Sequence, residues 1–313
     1  MAILVTGSLA YDIIMTHEGK FTDHLIQGKL DHLNVSFLID TKEKEFGGCG
    51  GNIAYNLSLL GEDTDLIGRA GRDFGDYEEW LTENGINTDH IHIHDDLDTA
   101  IAYITSDSAG NQITSFYPGA MKKDDKFKPH ASSTYNLAII SPEDVDWMMQ
   151  AVNYCEENTP FIFDPGQQVT ALLKEELLHG MRRAQVVIVN SYEFDIIKQK
   201  TGLSDLELIQ KIPTLIITRG AKGSDIFNLG KHIHIGIAKP KEVVDPTGVG
   251  DAYRAGIISG MICGFDWELT GQMAATIASF AIEEYGTQNH YFELEEFNER
   301  LKKAFNKEVN LEE

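Results

Sequence analysis

The chain has 313 residues, 42% hydrophobic and 24% charged, which is ordinary globular usage and excludes a collagen, a disordered tail and a disulfide mini-protein. Lys and Arg number 26 against 49 Asp and Glu, a net charge of −23, so neither nucleic acid nor an anionic membrane surface is expected as a partner. An anion such as ATP would need a local pocket lined by amides or by a few cations.

The three cysteines, Cys49, Cys155 and Cys263, form no CxxC pair. That argues against a zinc knuckle or redox motif and fits a reducing, cytoplasmic setting. The first residues lack the basic n-region and long h-region of a signal peptide. No apolar run is long enough to span a membrane. The N-x-S matches at Asn34 and Asn56 are read as chance.

Ala2 to Thr6 reads as a buried first strand ending at Gly7-Ser8. Val35 to Asp40 is strand-like. Five residues, Gly47-Gly48-Cys49-Gly50-Gly51, then break the chain. A helix follows, because Ile53, Leu57 and Leu60 keep one face and Gly61 stops it. Leu66 to Gly68 is a second buried strand, and Tyr77 to Asn84 a helix. Ile91 to His94, Ala100 to Thr105 and Ile113 to Tyr117 are short strands, with Asp107 to Asn111 as a hairpin turn.

From about residue 135 strands and helices alternate. The strands are Leu137 to Ser141, Phe161 to Asp164, Val186 to Asn190 and Leu215 to Thr218. The helices between them are Val145 to Asn158, Thr170 to Gly180 and Glu193 to Thr201. A hairpin near 224–237 and two strong helices, after Asp251 and after Leu269, follow. A solvated last helix after Glu293 packs Phe297 and Leu301. This rhythm predicts a mostly parallel α/β sheet with helices on both faces. The strands near 14–40 and 98–118 fall outside it and predict a small accessory sheet made by two insertions.

The stretch most informative about chemistry is Asp245-Pro-Thr-Gly-Val-Gly-Asp251, which opens a long apolar helix. Gly248 and Gly250 let the backbone turn with amides outward, and the helix start adds unpaired N–H groups and partial positive charge. Together they make an anion cradle. Asp251 is either an N-cap or a carboxylate beside a bound phosphate, placed to take a proton from an attacking hydroxyl. Spacing alone supports both. Tyr253 stands where a dinucleotide fingerprint needs glycine, and no P-loop motif occurs.

The second stretch is Phe46-Gly-Gly-Cys-Gly-Gly-Asn52, whose glycines permit close backbone approach or a hinge. Asn52 reads as a cap or as a ligand to a hydroxyl. His90, His92 and His94 alternate with Ile91 and Ile93. They are either a metal ladder or, the expectation here, a water-facing row with the isoleucines inward. Arg254, one helical turn after Asp251, meets phosphate or, as expected here, surface carboxylates.

Taken together the two stretches resemble the signatures of the ribokinase/PfkB family of carbohydrate and nucleoside kinases, over essentially the whole chain. Phe116-Tyr-Pro-Gly-Ala-Met121, the 20–46 segment and Tyr253-Arg254 resemble its bacterial and archaeal nucleoside kinases, often called adenosine kinases. The resemblance implies one ribokinase-like α/β domain over 1–313, with a small β lid from about 14–45 and 97–120. It implies ATP-dependent phosphorylation of a primary hydroxyl, of a nucleoside such as adenosine or of a sugar. A binder that keeps the fold without turnover is the rival from another class.

By the same resemblance Asp251 is the base and the amides of Gly248, Val249 and Gly250 the anion hole; Val249 replaces the usual Ala, which leaves the amide intact. Asp12, Gly47, Gly48 and Asn52 fall on the acceptor side. Asn190 and Glu193 match N-x-x-E, with Glu193 meeting Mg²⁺ through water; the bland alternative is a strand-end turn and helix start. Thr218, Gly220 and Gly223 match a nucleotide loop, or simply a turn, with Lys222 a solvated charge. Asp245 and the Thr247 carbonyl are the candidate K⁺ ligands. A base could stack on Phe37, Phe116, Tyr117 or Met121, unless these only fill the small sheet's core. The chain is expected as monomer or homodimer.

Overall fold

The computed structural model describes residues 2–24, 35–109, 111–129 and 134–311. Asn34, Gly110 and the part of the first insertion at 25–34 lie outside them. In chain order the first half holds β1 (Ile3–Thr6), β2 (Ala10–His17), a single turn α1 (Phe21–His24), β3 (Thr41–Gly47), α2 (Cys49–Leu59), β4 (Thr64–Gly71), α3 (Gly75–Glu83), β5 (Asn87–His94), β6 (Ala100–Asp107) and β7 (Gln112–Tyr117). The second half alternates more strictly. It holds β8 (Leu137–Ile140), α4 (Val145–Asn158), β9 (Phe161–Phe163), α5 (Lys174–Arg183), β10 (Val186–Asn190), α6 (Ser191–Thr201), α7 (Asp205–Lys211), β11 (Thr214–Thr218), β12 (Ser224–Asn228), β13 (Lys231–Ile235), α8 (Val249–Ile262), α9 (Trp267–Ala281) and α10 (Leu294–Phe305).

Among the described residues these strands form two sheets. The large one has nine strands in the order β13-β12-β11-β10-β9-β8-β1-β4-β5. It is parallel from β11 to β5 and ends in the antiparallel hairpin β12–β13. Its central strands are continuous branched runs because both faces are covered. Alternation then divides them: Ile3, Val5, Ile139, Ile188 and Ile216 join the core under α2, α8 and α9. Leu4, Ala138, Ile140, Val187 and Val189 join the core under α4, α5 and α6. The fold class is the mostly parallel α/β sheet that the rhythm predicts.

The small sheet has the order β3-β2-β6-β7, with β2 parallel to β6 and the other pairs antiparallel. Every side chain of β7 is exposed and most of β3 is too, so among the described residues no second layer covers these two strands. It starts at Ala10, so Asp12 lies inside β2 rather than in the loop after β1.

Four expectations are corrected. Val35 to Asp40 joins no ladder; Phe37 packs instead against His17, Phe21 and His24 in an aromatic cluster. The helix expected from Thr170 is a 3₁₀ turn over Gly166–Thr170 and then α5 from Lys174, where Leu173 N donates to Glu176 Oε2 (2.6 Å). The helix α7 was not foreseen, although Ser204 and Glu207 make a reciprocal cap at its start. In β5 the isoleucines do not all face inward: His90 is buried, Ile93 is 44% exposed, and His92 and His94 reach the Asp125 carboxylate (3.5 and 2.7 Å). This edge strand turns its histidine face onto Trp147, so ring packing overrides the hydropathy pattern. Among the described residues no three or more His, Cys, Asp or Glu side chains gather as a metal site, and no helix is long and apolar enough to cross a membrane.

One buried ion pair ties β4 to the turn after β8. Arg69 Nε donates to Glu143 Oε1 (3.1 Å), Nη2 to Oε2, and Nη1 to the Lys123 carbonyl, with Arg69 over the Trp147 ring. Both side chains are almost fully buried, so neither charge has water as an alternative partner. Glu143→Gln, which leaves the guanidinium uncompensated, is expected to destabilise the fold by about 3 kcal/mol, read by urea unfolding. A change below about 1 kcal/mol, the size of an exposed pair, would overturn this account.

Candidate active site

Open parallel sheets bind ligands beyond the carboxyl ends of their strands, where the winding of the chain changes direction. Here β1 lies between β4 and β8, so the turn in winding falls at β1/β8. The segments leaving β8, β9, β10 and β11 supply Pro142, Asp164, Asn190 and Thr218 to one cavity of ≈ 950 Å³. That size suits a nucleotide. Further parts of the wall come from the loop before α8, from α8 itself, from the segment after β13, from the last turns of α9 and from Cys49 at the start of α2.

The loop geometry follows from its glycines. Gly248 adopts φ 73° at the N-cap of α8, and a Cβ there would meet Thr287 at 2.9 Å. The first helical bond runs from Ala252 N to the Gly248 carbonyl (3.0 Å). The amides of Val249, Gly250 and Asp251 therefore precede the helical ladder and face the cavity end of the helix dipole. Among the sequence candidates Gly248, Val249, Gly250 and Asp251 line the cavity together with Asn190, Glu193, Thr218, Gly220 and Gly223.

Asp251 is not an N-cap. It is the third residue of α8, and its Oδ2 accepts from Asn52 Nδ2 (2.8 Å), a residue 199 positions away. Burial pushes the Asp251 carboxyl up to about 6, while Arg254, Asn52 and Cys49 hold it down and Asp164 adds to the rise. Asn52 is likewise no cap: it lies inside α2, which begins at Cys49 after a Gly48 at φ 88°. Asp12, on the neighbouring β2, is raised further, to about 7, by burial and then by the charges of Asp251, Asp245 and Glu45. Gly47 lies against it; a Cβ at Gly47 would meet the Asp12 carboxylate at 2.5 Å.

Asp12, Gly47, Gly48 and Asn52 are not part of the cavity wall. They form a second group, and Asp251, which lines the cavity and touches Asn52, belongs to both. Asp245 and Thr247 also stand off the wall. Asp245 Oδ1 accepts from Thr247 N (2.9 Å) and Oγ1 (2.7 Å), and its Oδ2 accepts from Gly286 N (3.1 Å). Asn190 and Glu193 do make the helix-start box, with each side chain bonded to the other's backbone N–H (2.9 and 2.7 Å), and they line the cavity as well. The turn at Thr218 is closed by Arg219 N donating to the Gly223 carbonyl (2.8 Å), and Lys222 is exposed.

Arg254 corrects an expectation. It does not meet surface carboxylates. Its Nε and Nη2 bind both oxygens of the buried Asp164, the latter at 2.7 Å, and its Nη1 donates to the Gly250 carbonyl (2.9 Å). Burial works against its charge, but Asp164, then Asp251 and Glu193, hold the guanidinium protonated. Sequence reasoning also missed Cys49 at the cavity and the Thr287-Gln288 pair behind Asn52. No local signal marks these, because each acts across more than two hundred residues or through a side chain of unremarkable type.

With this geometry in view, comparison with known proteins is informative. Residues 2–293 match the model of the pfkB family carbohydrate kinases. The nucleoside kinase of Methanocaldococcus jannaschii is 32% identical over 277 residues, 88% of this chain and 91% of its own. The structure of Burkholderia thailandensis nucleoside kinase with inosine superposes with a TM-score of 0.87 at 36% identity, covering 98% of this chain and 99% of that one. The same enzyme with ADP and inosine gives 0.85 at 35% identity, over 99% and 98%.

Proposed function

The chain belongs to the pfkB family of carbohydrate kinases and is an ATP-dependent phosphotransferase with an alcohol acceptor, and from that premise we propose that it phosphorylates the 5′-hydroxyl of a nucleoside with Asp251 as general base. Adenosine is the first candidate, from the sequence resemblance. Inosine stands beside it, because the B. thailandensis relative is found in complex with that nucleoside. The observation that carries the reading is the place of Asp251: a carboxylate taken out of water, at the start of α8, between the cavity and the Asp12–Asn52 group.

In this reaction Asp251 takes the proton of the attacking hydroxyl, and a base poised near 6 suits that task at neutral pH. The amides of Gly248, Val249 and Gly250 stabilise charge on the phosphoryl group in transit. Asn190, Glu193, Thr218, Gly220 and Gly223 hold the nucleotide. Asp12 and Asn52 hold the acceptor's hydroxyls, with Gly47 and Gly48 as the hinge below the small sheet. That sheet, β3-β2-β6-β7, closes as a lid and excludes water.

Mg²⁺, arriving with ATP, would neutralise the phosphate oxygens. The residues fit it, since Glu193 and Asn190 offer hard oxygen donors at the wall and no protein cage is needed for an ion that keeps its waters. For K⁺, Asp245 spends three of its about four lone-pair sites on Thr247 and Gly286. One remains, on Oδ2, for a cation.

A nucleoside fits the small sheet better than a free sugar. Asp12 pairs with Ala102, and Ala102 pairs with Phe116, so Asp12 and Phe116 share a sheet face two strands, about 10 Å, apart. Phe116 and Tyr117 are 51% and 43% exposed. A ribose held at Asp12 would bring its base to the Phe116 ring, whereas Tyr117, paired with Ile101, points to the other face. Phe37 is committed to its own cluster and Met121 is buried with Ala10 and Ala100, so neither is available for stacking.

A coupled ADP-release assay over adenosine, guanosine, inosine, cytidine, ribose and fructose tests the reading. Nucleoside turnover is expected, with Asp251→Asn lowering kcat by about 10²–10⁴-fold; near-normal turnover in that variant would remove the base. The rate should fall as pH drops through about 6, because protonated Asp251 cannot accept. Phe116→Ala should raise KM for the nucleoside by about tenfold, the value of one lost aromatic contact; turnover with ribose or fructose alone would move the substrate to a sugar. Replacing K⁺ by a bulky organic cation should slow the enzyme, and an unchanged rate would remove the K⁺ site.

A further inference from the structure

Behind Asp251 runs a chain of hydrogen bonds with a single direction. Trp80 Nε1 donates to Gln288 Oε1 (3.1 Å). Gln288 Nε2 donates to Asn52 Oδ1 (3.0 Å) and to the Tyr77 hydroxyl oxygen (2.6 Å). Asn52 Nδ2 donates to Asp251 Oδ2 (2.8 Å). An amide side chain can exchange its oxygen and nitrogen by a flip, so the direction must be set by groups that cannot reverse. The indole N–H is such a group, since it only donates. Tyr77 is another, because its one hydrogen goes to the Gly47 carbonyl (2.9 Å) and leaves it only an acceptor toward Gln288.

Thr287 does not set the direction. Its hydroxyl lies 2.8 Å from both the Phe46 carbonyl and Asn52 Oδ1. With its hydrogen on Asn52 Oδ1 it suits the orientation seen, and with its hydrogen on Phe46 it would accept from a flipped Asn52. Flipped, Asn52 would turn its oxygen to Asp251, an arrangement that only a protonated Asp251 satisfies. Gln288 is therefore the side chain that decides which form of Asp251 is favoured.

We propose that Gln288, oriented by Trp80 and Tyr77, is a positioning residue that holds the Asn52 amide N–H on Asp251 and so keeps the base ionised and aimed. This rests on the reading of Asp251 as the base. The other groups facing Asp251 are Arg254 on the same helix, Asp164 after β9, Cys49 at the start of α2, Asp12 on β2 and Tyr77 on α3. Gln288 variants leave all of them in the chain.

The test compares wild type, Gln288→Met and Gln288→Glu. The methionine keeps the length and removes both donor and acceptor; the glutamate keeps the shape and replaces the donor by an acceptor. The titration of Asp251 is followed by carboxyl ¹³C NMR, with its signal identified by loss in Asp251→Asn, beside the pH profile of kcat/KM. In Gln288→Met both the titration and the acid limb should rise by about one pH unit, the worth of one hydrogen bond to a charged group. That is about a tenfold loss of activity below the limb, with the high-pH plateau largely retained. Gln288→Glu should rise further.

A Gln288→Met protein that melts like wild type and titrates like wild type would overturn the proposal. The NMR titration needs no turnover. An active Asp251→Asn would thus remove the base reading while the titration still decided the hydrogen-bond chain. Should neither Gln288 variant fold, Trp80→Phe keeps a ring against Phe46 and Tyr55 and removes only the fixed donor. A smaller rise in the same direction is expected there, and no rise would overturn the proposal.

Discussion

The site depends on one guanidinium. Burial raises the carboxyls of Asp164, Glu193 and Asp251, and Arg254 opposes that rise in all three. It does so from one turn along the helix that carries Asp251, so the proposed base and its countercharge arrive on a single rigid element. The same side chain reaches the Gly250 carbonyl and fixes the loop whose amides point into the cavity. Without that charge, a chain of net −23 would gather these buried carboxylates at the cavity with less to hold them ionised.

The large sheet brings these groups together because parallel strands deliver their carboxyl ends to one edge. Four successive strand ends contribute to the cavity, and α8 enters from the opposite face with its amino end toward them. The small sheet then presents Asp12 on the far side of Asp251. Glycine is required where backbones must nearly touch: a Cβ at Gly48 would stand 2.4 Å from the Ser8 carbonyl, so α2 seats on the β1–β2 turn only without a side chain there.

The parts legible in the sequence were those set by local physics. Branched runs announced the central strands, and Val145–Asn158 and Val186–Asn190 matched the observed elements to the residue. The glycines before Asp251 announced the tight turn into α8, which Gly248 makes at φ 73°. What escaped was set by partners far along the chain. Nothing near Arg254 points to Asp164, ninety positions away, and nothing near Asn52 points to Gln288, 236 away. The histidines of β5 were misjudged for a related reason: their face is decided by Trp147 and Asp125, which the strand's own alternation does not contain. Family resemblance supplied roles for Asn190 and Glu193 that their local pattern, an ordinary helix-start box, would not have supplied.

The same accounting bears on how an acidic protein takes an acidic substrate. The cavity wall offers phosphate the loop and helix-start amides, whose field is short-ranged and directional, together with the exposed Lys239 and Lys241. Arg254, the cation closest in sequence to that loop, is already bidentate to Asp164. Carboxylates at the wall repel phosphate unless a cation stands between them. In the proposed reaction Glu193 and Asn190 would meet a Mg²⁺ brought in with the nucleotide, and that charge would offset the repulsion between the wall's carboxylates and phosphate. In that proposed reaction the wall's carboxylates would favour a metal complex of the nucleotide over the bare anion, and the amides would orient what the charges admit.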